Sequence, residues 1–271
     1  MGALNAGFTF ERIFGLFTHA IVRVPGYNFA DGLTSVNFGE PKYELALRQW
    51  EAYCLALEVC GLTITRLGVA LEFPDSTFVE DTAVLTPDGA MLTRPGAASR
   101  LGEVAAIAST VRGFYPEAAQ IQVPGSLDGG DICEAGNHVF LGISRRTNEE
   151  GARQLAEHLA REGFSSSLVD VRGMSSILHL KSGISYIGDN TLVVMEEMAD
   201  WPAFAGYDLL RVSAEESYGA NCVRVNDRVF VATGYPLMTE ELMRRGFDPL
   251  VLDMSEFRKM DGGLSCLSLR F

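Results

Sequence analysis

One arrangement recurs along this chain and limits what it can fold into: a short β-hairpin, a helix, then one further strand. Paired β-type runs at 82–85 and 90–93 flank Pro87-Asp88-Gly89, and runs at 131–133 and 139–141 flank Gly136-Asn137. Two more pairs, 184–187 with 192–195 and 222–225 with 229–232, are separated by Gly188-Asp189-Asn190 and Asn226-Asp227, the residues that hairpin turns select. Further strands are expected at 120–123, 168–171, 209–212 and 250–253. The intervening helices show a 3.6-residue apolar period through Leu101, Val104, Ile107 and Val111, and again through Leu155 and Leu159 after the capping-box pattern Thr147-Asn148-Glu149-Glu150. Weaker helical patterns cover 196–205 and 236–246. A fifth unit is complete if the strand at 267–270 pairs with one at 17–23, followed by the helix carrying Ala46, Trp50, Tyr53, Cys54 and Leu57, its cap at Gly61, and a strand at 62–67. Units of this length cannot bury their apolar faces alone, and radial closure buries them. The expected fold is therefore α/β: a fivefold pseudo-symmetric propeller of ββαβ modules over 17–271, closed by its terminal strands, with 1–16 as a short extension.

Closure brings the segments that precede each hairpin to one end of a central channel. Those segments carry Glu80, Asp81, Asp128, His179 and Cys266, an acid, base and thiol set of the kind that performs chemistry. Cys54 and Cys60 lie in or beside a core helix, where a thiol is a small hydrophobe, and Cys133 and Cys222 read the same way. Cys266 differs, because two glycines and a serine precede it and let the backbone come close to a ligand. His19, His138 and His158 each have a structural explanation in a strand, a turn or a polar helix; His179 opens a module with Asp128 available from the preceding one. Nucleophile, imidazole and orienting carboxylate make a generalised triad.

Asp75, Glu80 and Asp81 cluster among apolar neighbours, and several carboxylates at one site require a cation. A planar guanidinium suits them through its fork of N–H donors. Arg100 and Arg146 are candidates for the opposite, anionic end of an amino-acid substrate.

With 22 Lys and Arg against 35 Asp and Glu, the net charge of -13 disfavours nucleic acid and anionic membranes as partners. The longest charge-free run, 229–239, is far short of the ~20 apolar residues of a spanning helix. The first residues lack the layout of a secretory signal, and five scattered Cys without CxxC spacing argue against a disulfide framework or Cys-rich zinc site, so a soluble protein in a reducing cytoplasm is expected. The oligomeric state stays open, a homodimer included.

The segments Asp31-Gly-Leu-Thr-Ser35, Phe73-Pro-Asp-Ser-Thr-Phe-Val-Glu-Asp81, Leu127-Asp-Gly-Gly-Asp131, Arg146-Thr-Asn148, Leu178-His-Leu-Lys-Ser182, Ala220-Asn-Cys222 and Lys259-Met-Asp-Gly-Gly-Leu-Ser-Cys266 are together highly specific. Through them the chain resembles the dimethylarginine dimethylaminohydrolases, guanidine-modifying penteins, over 17–271. The resemblance implies a fivefold α/β propeller and hydrolysis of Nω,Nω-dimethylarginine or Nω-monomethylarginine to citrulline and an amine. It further implies Cys266 as nucleophile, His179 as acid and base, Asp128 as its orienting carboxylate, Asp75, Glu80 and Asp81 around the substrate cation, and Arg100 and Arg146 at its α-carboxylate. Phe78 lines the site, Leu33 is the lid residue, and the backbone at Met260 contacts the ligand. Some bacterial members carry Glu where this chain has Asp128, one methylene shorter. The chemistry calls for no metal or organic cofactor; since thiolate and imidazole also form a soft-metal pair, Zn2+ at Cys266 and His179 would be an inhibitor. A deiminase of arginine or a related guanidine, and a non-catalytic binding propeller, are the competing readings.

Overall fold

The structure, a computed structural model, describes residues 16–271; the extension expected at 1–16 therefore lies, apart from Leu16, outside the described residues. Five three-stranded sheets are present, each with one antiparallel and one parallel neighbour about a middle strand. In the first sheet β1 (His19–Arg23) pairs in parallel with β2 (Thr63–Leu67) and antiparallel with the last strand, β15 (Leu269–Arg270), in the register Ala20↔Arg270 and Ile21↔Leu269. The terminal strands thus close the ring as the repeat required. The remaining sheets follow in chain order: β3 (Ala83–Leu85), β4 (Ala90–Leu92) and β5 (Ala119–Gln120); β6 (Ile132–Ala135), β7 (His138–Ile143) and β8 (Ser165–Asp170); β9 (Ile184–Tyr186), β10 (Thr191–Met195) and β11 (Asp208–Val212); β12 (Val223–Val225), β13 (Arg228–Ala232) and β14 (Asp248–Leu252).

The parallel partner in each sheet needs a crossover. Helices supply it in four modules: α1 (Tyr43–Val59), α2 (Leu101–Phe114), α3 (Glu149–Arg161) and α4 (Pro236–Arg244). Gly61 ends α1 in the left-handed region, at φ +92°, as expected of a residue without a Cβ. The cap of α3 falls one residue later than the capping-box pattern suggested. Asn148, not Thr147, accepts the Gly151 N–H, at 2.8 Å; the Thr147 hydroxyl is turned the other way, donating to Asp131 and accepting the Asp128 N–H. The helix expected at 196–205 does not form; two 3-10 turns, Glu196–Met198 and Pro202–Phe204, take its place. Pro202 has no N–H to donate and biases Trp201 away from helical geometry, so a continuous helix cannot pass through it.

The middle strands are apolar through their centres because both faces are covered there: Val139, Phe140 and Leu141 of β7, Leu192, Val193 and Val194 of β10, and Phe230 and Val231 of β13 are fully buried. Just before four of the hairpins, and before β15, the chain makes 3-10 turns, Val79–Thr82, Gly129–Asp131, Leu180–Ser182, Ala214–Ala220 and Ser265–Leu267, which touch in succession around one end of the axis. A shared device links them. Asp81 Oδ1 accepts the Gly130 N–H at 2.8 Å, Asp131 Oδ1 the Leu180 N–H at 2.9 Å, and Asn221 Oδ1 the Ser265 N–H at 3.1 Å. A polar side chain from one turn satisfies the backbone of the next, so the end of the propeller that gathers the acids, imidazole and thiol is hydrogen-bonded around its rim.

Candidate active site

Cys266 sits in the turn that leads into β15. Its N–H donates to the Gly263 carbonyl at 3.2 Å, and the Gly263 N–H points back at Sγ, 3.4 Å away. The preceding glycines do allow close approach, but of side chains. A Cβ on Gly262 would lie 2.3 Å from the Phe78 ring, and one on Gly263 would lie 2.3 Å from Asn221 Oδ1. The glycines therefore seat the nucleophile turn against Phe78 and Asn221. Phe78 itself is buried edge-on against Phe29 and Phe257.

His179 precedes the third turn and is buried. Its Nε2 lies 3.0 Å from Asp128 Oδ2, while Asp128 Oδ1 accepts the Gly96 N–H at 2.8 Å. The shorter acid therefore still reaches the imidazole. Burial pulls the pKa of His179 down, yet the carboxylates of Asp81, Asp131 and Asp128 outweigh it and hold the imidazole up at about 9. That direction favours the imidazolium at neutral pH. Cys266 behaves oppositely: burial, then the negative charges of Glu80 and Asp81, push the thiol up to about 12, against the Gly263 N–H and Lys181. Cys54 and Cys222, pushed up to about 12, and Cys133, pushed up to about 11, share the effect of burial. Acids add to the rise at Cys54 and Cys133 as well, but only at Cys266 do they, Glu80 and Asp81, rank directly behind burial.

The three acids differ in what they already hold. Glu80 takes Lys181 Nζ at 2.5 Å on one oxygen and the Ser265 hydroxyl at 2.7 Å on the other, joining three of the rim turns. Beyond that pair lies a cavity of about 760 Å3 with Glu134, Tyr186, Arg224 and Arg270 in its wall. Asp81 holds Arg100 and the Gly130 N–H, and although burial raises its carboxyl, His179 and Arg100 bring it down to about 2. Among the described residues Asp75 alone of the three has no ion pair: its Oδ1 accepts the Leu33 N–H at 2.9 Å, and burial raises its carboxyl against the pull of Arg100 and Arg146. A buried carboxylate with an open oxygen is suited to an incoming cation.

Arg100 departs from the role the resemblance implied. It is 5% exposed, and its guanidinium binds Asp81 Oδ2 at 2.5 Å, Glu103 at 2.8 Å and the Phe78 carbonyl at 2.9 Å. Two buried carboxylates consume its charge, so in this structure Arg100 is an internal clamp on Asp81. Arg146 is half-buried, and among the described residues nothing accepts from its guanidinium. Leu33, 41% exposed, overhangs the site beside Asp75, and its segment is tied to the nucleophile's approach by Thr34 Oγ1 donating to the Lys259 carbonyl at 2.9 Å. Met260 is buried under that segment, its Cε close to Gly32.

Asp81, Asp128 and His179 place ligand-type atoms within 4.8 Å of one another, but the Arg100 guanidinium, two backbone N–H groups and the imidazolium proton already balance them. The structure also recruits Glu103, Lys181, Ser265, Asn221 and Asp131, to which sequence reasoning assigned no role. Asp131, Lys181, Asn221 and Ser265 stood within singled-out segments; Glu103 did not.

The profile of the arginine deiminase family matches residues 73–202. The chain is 44% identical over 257 residues, 94% of its length and the whole of the relative, to an N(G),N(G)-dimethylarginine dimethylaminohydrolase of Pseudomonas aeruginosa, and 36% identical over 253 residues, 93% of its length and 96% of the relative, to one of Streptomyces coelicolor. A solved Cys-to-Ser mutant of the Pseudomonas aeruginosa protein with citrulline bound superposes with a TM-score of 0.91 over 94% of this chain and 100% of that one. A His-to-Gly dimethylarginine dimethylaminohydrolase as an adduct with S-methyl-L-thiocitrulline, also 44% identical and covering 94% and 100%, gives the same score. The N-terminal domain of ArgZ, an arginine dihydrolase, is 17% identical with a TM-score of 0.84 over 94% of this chain and 97% of that one, and shares the fold.

Proposed function

Because the chain belongs to the dimethylarginine dimethylaminohydrolase family, we propose that it hydrolyses Nω,Nω-dimethyl-L-arginine, and the Nω-monomethyl form, to L-citrulline and dimethylamine or methylamine. The observation that carries this reading is geometric: the Cys266 turn, the His179 imidazole 3.0 Å from Asp128, and Asp75, whose Oδ1 takes only the Leu33 N–H, stand at one end of the propeller.

The substrate guanidinium settles among the acids, with Asp75 accepting its N–H groups, and its charge lowers the cost of ionising Cys266, whose proton leaves to solvent because His179 already carries one. The thiolate attacks the guanidinium carbon and a C–S bond forms. His179, already protonated, gives its proton to the dimethylamino nitrogen as that C–N bond breaks, and dimethylamine leaves. A thiouronium on Cys266 remains. Neutral His179 then takes a proton from water, whose oxygen adds to the same carbon; the C–S bond breaks, the thiolate departs and the urea of citrulline is left after loss of a proton. Asp128 holds the imidazole in register for both transfers, and Arg146 binds the α-carboxylate at the far end.

The match of residues 73–202 to the arginine deiminase family favours one second reading, loss of ammonia from unmethylated arginine or a related guanidine. Citrulline release measured side by side from dimethylarginine, monomethylarginine and arginine separates them. Turnover of the methylated substrates with little or none of arginine is expected. Arginine as the preferred substrate would overturn the reading in favour of the deiminase.

A further inference from the structure

Asp131 is wholly buried, and three donors from two segments, the 144–147 loop and the turn at Leu180, end on its carboxylate. Oδ1 accepts the Leu180 N–H at 2.9 Å; Oδ2 accepts both the Ser144 and the Thr147 hydroxyls, each at 2.6 Å. Leu180 follows His179 directly. Each hydroxyl, having given its proton to Asp131, keeps lone pairs for backbone donors. Ser144 Oγ accepts the N–H groups of Arg146, at 2.9 Å, and Thr147, at 3.2 Å, while Thr147 Oγ1 accepts the Asp128 N–H at 3.1 Å. The directions of all six bonds follow from an acceptor-only group at the centre. An amide there would present N–H donors to hydroxyls whose oxygens already accept from the backbone, and an apolar residue would orphan three buried donors.

We infer that Asp131 is a positioning residue that joins the Arg146 loop to the Asp128 and His179 pair, so that the far end of the substrate and the acid–base group are set by one carboxylate. This rests on the reading of Arg146 and His179 given above and adds the link between them. It separates two effects. Ser144 acts on the backbone of Arg146, which binds, through its shorter bond, and on that of Thr147 through a longer one; Thr147 acts on the backbone of Asp128, which orients the imidazole.

The test is steady-state kinetics on dimethylarginine for Ser144→Ala, Thr147→Val, Thr147→Ser and Asp131→Asn, with far-UV circular dichroism and Tm as fold controls. Ser144→Ala is expected to raise KM about fivefold with kcat within about twofold of wild type, the scale of one lost hydrogen bond. Thr147→Val is expected to lower kcat about tenfold, and Thr147→Ser to restore it, since only the hydroxyl is needed. Asp131→Asn should raise KM and lower kcat together. A natively folded Thr147→Val with both constants of the wild type, or an Asp131→Asn that changes Tm and neither constant, overturns the inference. Amide hydrogen exchange in Ser144→Ala decides the link without turnover: the Leu180 N–H, on the far side of Asp131, is expected to lose protection, and unchanged protection there contradicts the link. If the wild type releases no citrulline, the functional reading falls while the exchange result still stands.

Discussion

Arg100 binds Asp81 at 2.5 Å with both side chains almost sealed from water, and the same guanidinium holds Glu103 at 2.8 Å. The clamp keeps Asp81 charged at the rim, but Glu103 pays for its burial with a carboxyl pushed up to about 7 despite Arg100. Arg100→Leu should therefore strand two buried acids. A loss of about 3–5 kcal/mol of stability is expected, the range for breaking a buried pair, with kcat falling alongside. Arg146→Leu should leave the unfolding midpoint in place and raise KM by on the order of tenfold or more, the cost of a missing charge-assisted bond to the α-carboxylate. An α-amidated substrate is the control: the wild type should discriminate against it, and Arg146→Leu should treat acid and amide alike. Equal stability losses in the two arginine variants would contradict the division of roles.

The imidazole of His179 makes a pH-dependent contribution whose sign is fixed by its rise from 6.5 to about 9. Below pH 6.5 both folded and unfolded chains carry the proton, and the ion pairing counts in full. Between 6.5 and about 9 only the folded chain keeps it, so this stabilisation drains away as pH rises through the window. Asp81, lowered to about 2, acts in the other sense: its contribution is present above 3.8 and is lost as pH falls through 2. Urea unfolding of wild type and His179→Gly across the upper window should show the wild type losing free energy relative to the variant. Parallel curves would mean His179 is not held as an imidazolium.

A thiol held at about 12 by burial and acids should be unreactive in the free protein at neutral pH. A cationic haloacetamidine, which brings its own charge to Glu80 and Asp81, should alkylate Cys266 faster than a neutral haloacetamide of the same shape by on the order of tenfold or more. Equal rates would separate ionisation of Cys266 from substrate charge.

Much of the architecture could be read from residue order. Turn pairs such as Asn226-Asp227 announce hairpins because they tolerate positive φ, which Asn226 adopts at 54°. The convergence of Asp81, Asp128, His179 and Cys266 followed from counting modules, since equivalent positions in a closed ring share one end. The missing helix at 196–205 depended on Pro202 outweighing a short apolar period. Arg100 and Asp131 were beyond reach for a different reason. Glu103, three residues after Arg100, was a local pairing open to notice, but the hold of Arg100 on Asp81, and the three donors that Asp131 collects from the 144–147 loop and from Leu180, are pairings between side chains distant in the chain, which no local pattern records.

The covalent role of Cys266 is tested most directly by intact-mass spectrometry of acid-quenched wild type and His179→Gly after mixing with dimethylarginine. Without the imidazole, water attack on the thiouronium slows, so His179→Gly should accumulate a species heavier by the substrate less dimethylamine, mapping to the peptide that contains Cys266 and absent from Cys266→Ser. Citrulline release by Cys266→Ser at the wild-type rate, or an adduct carried by Cys222 in its place, would contradict the account.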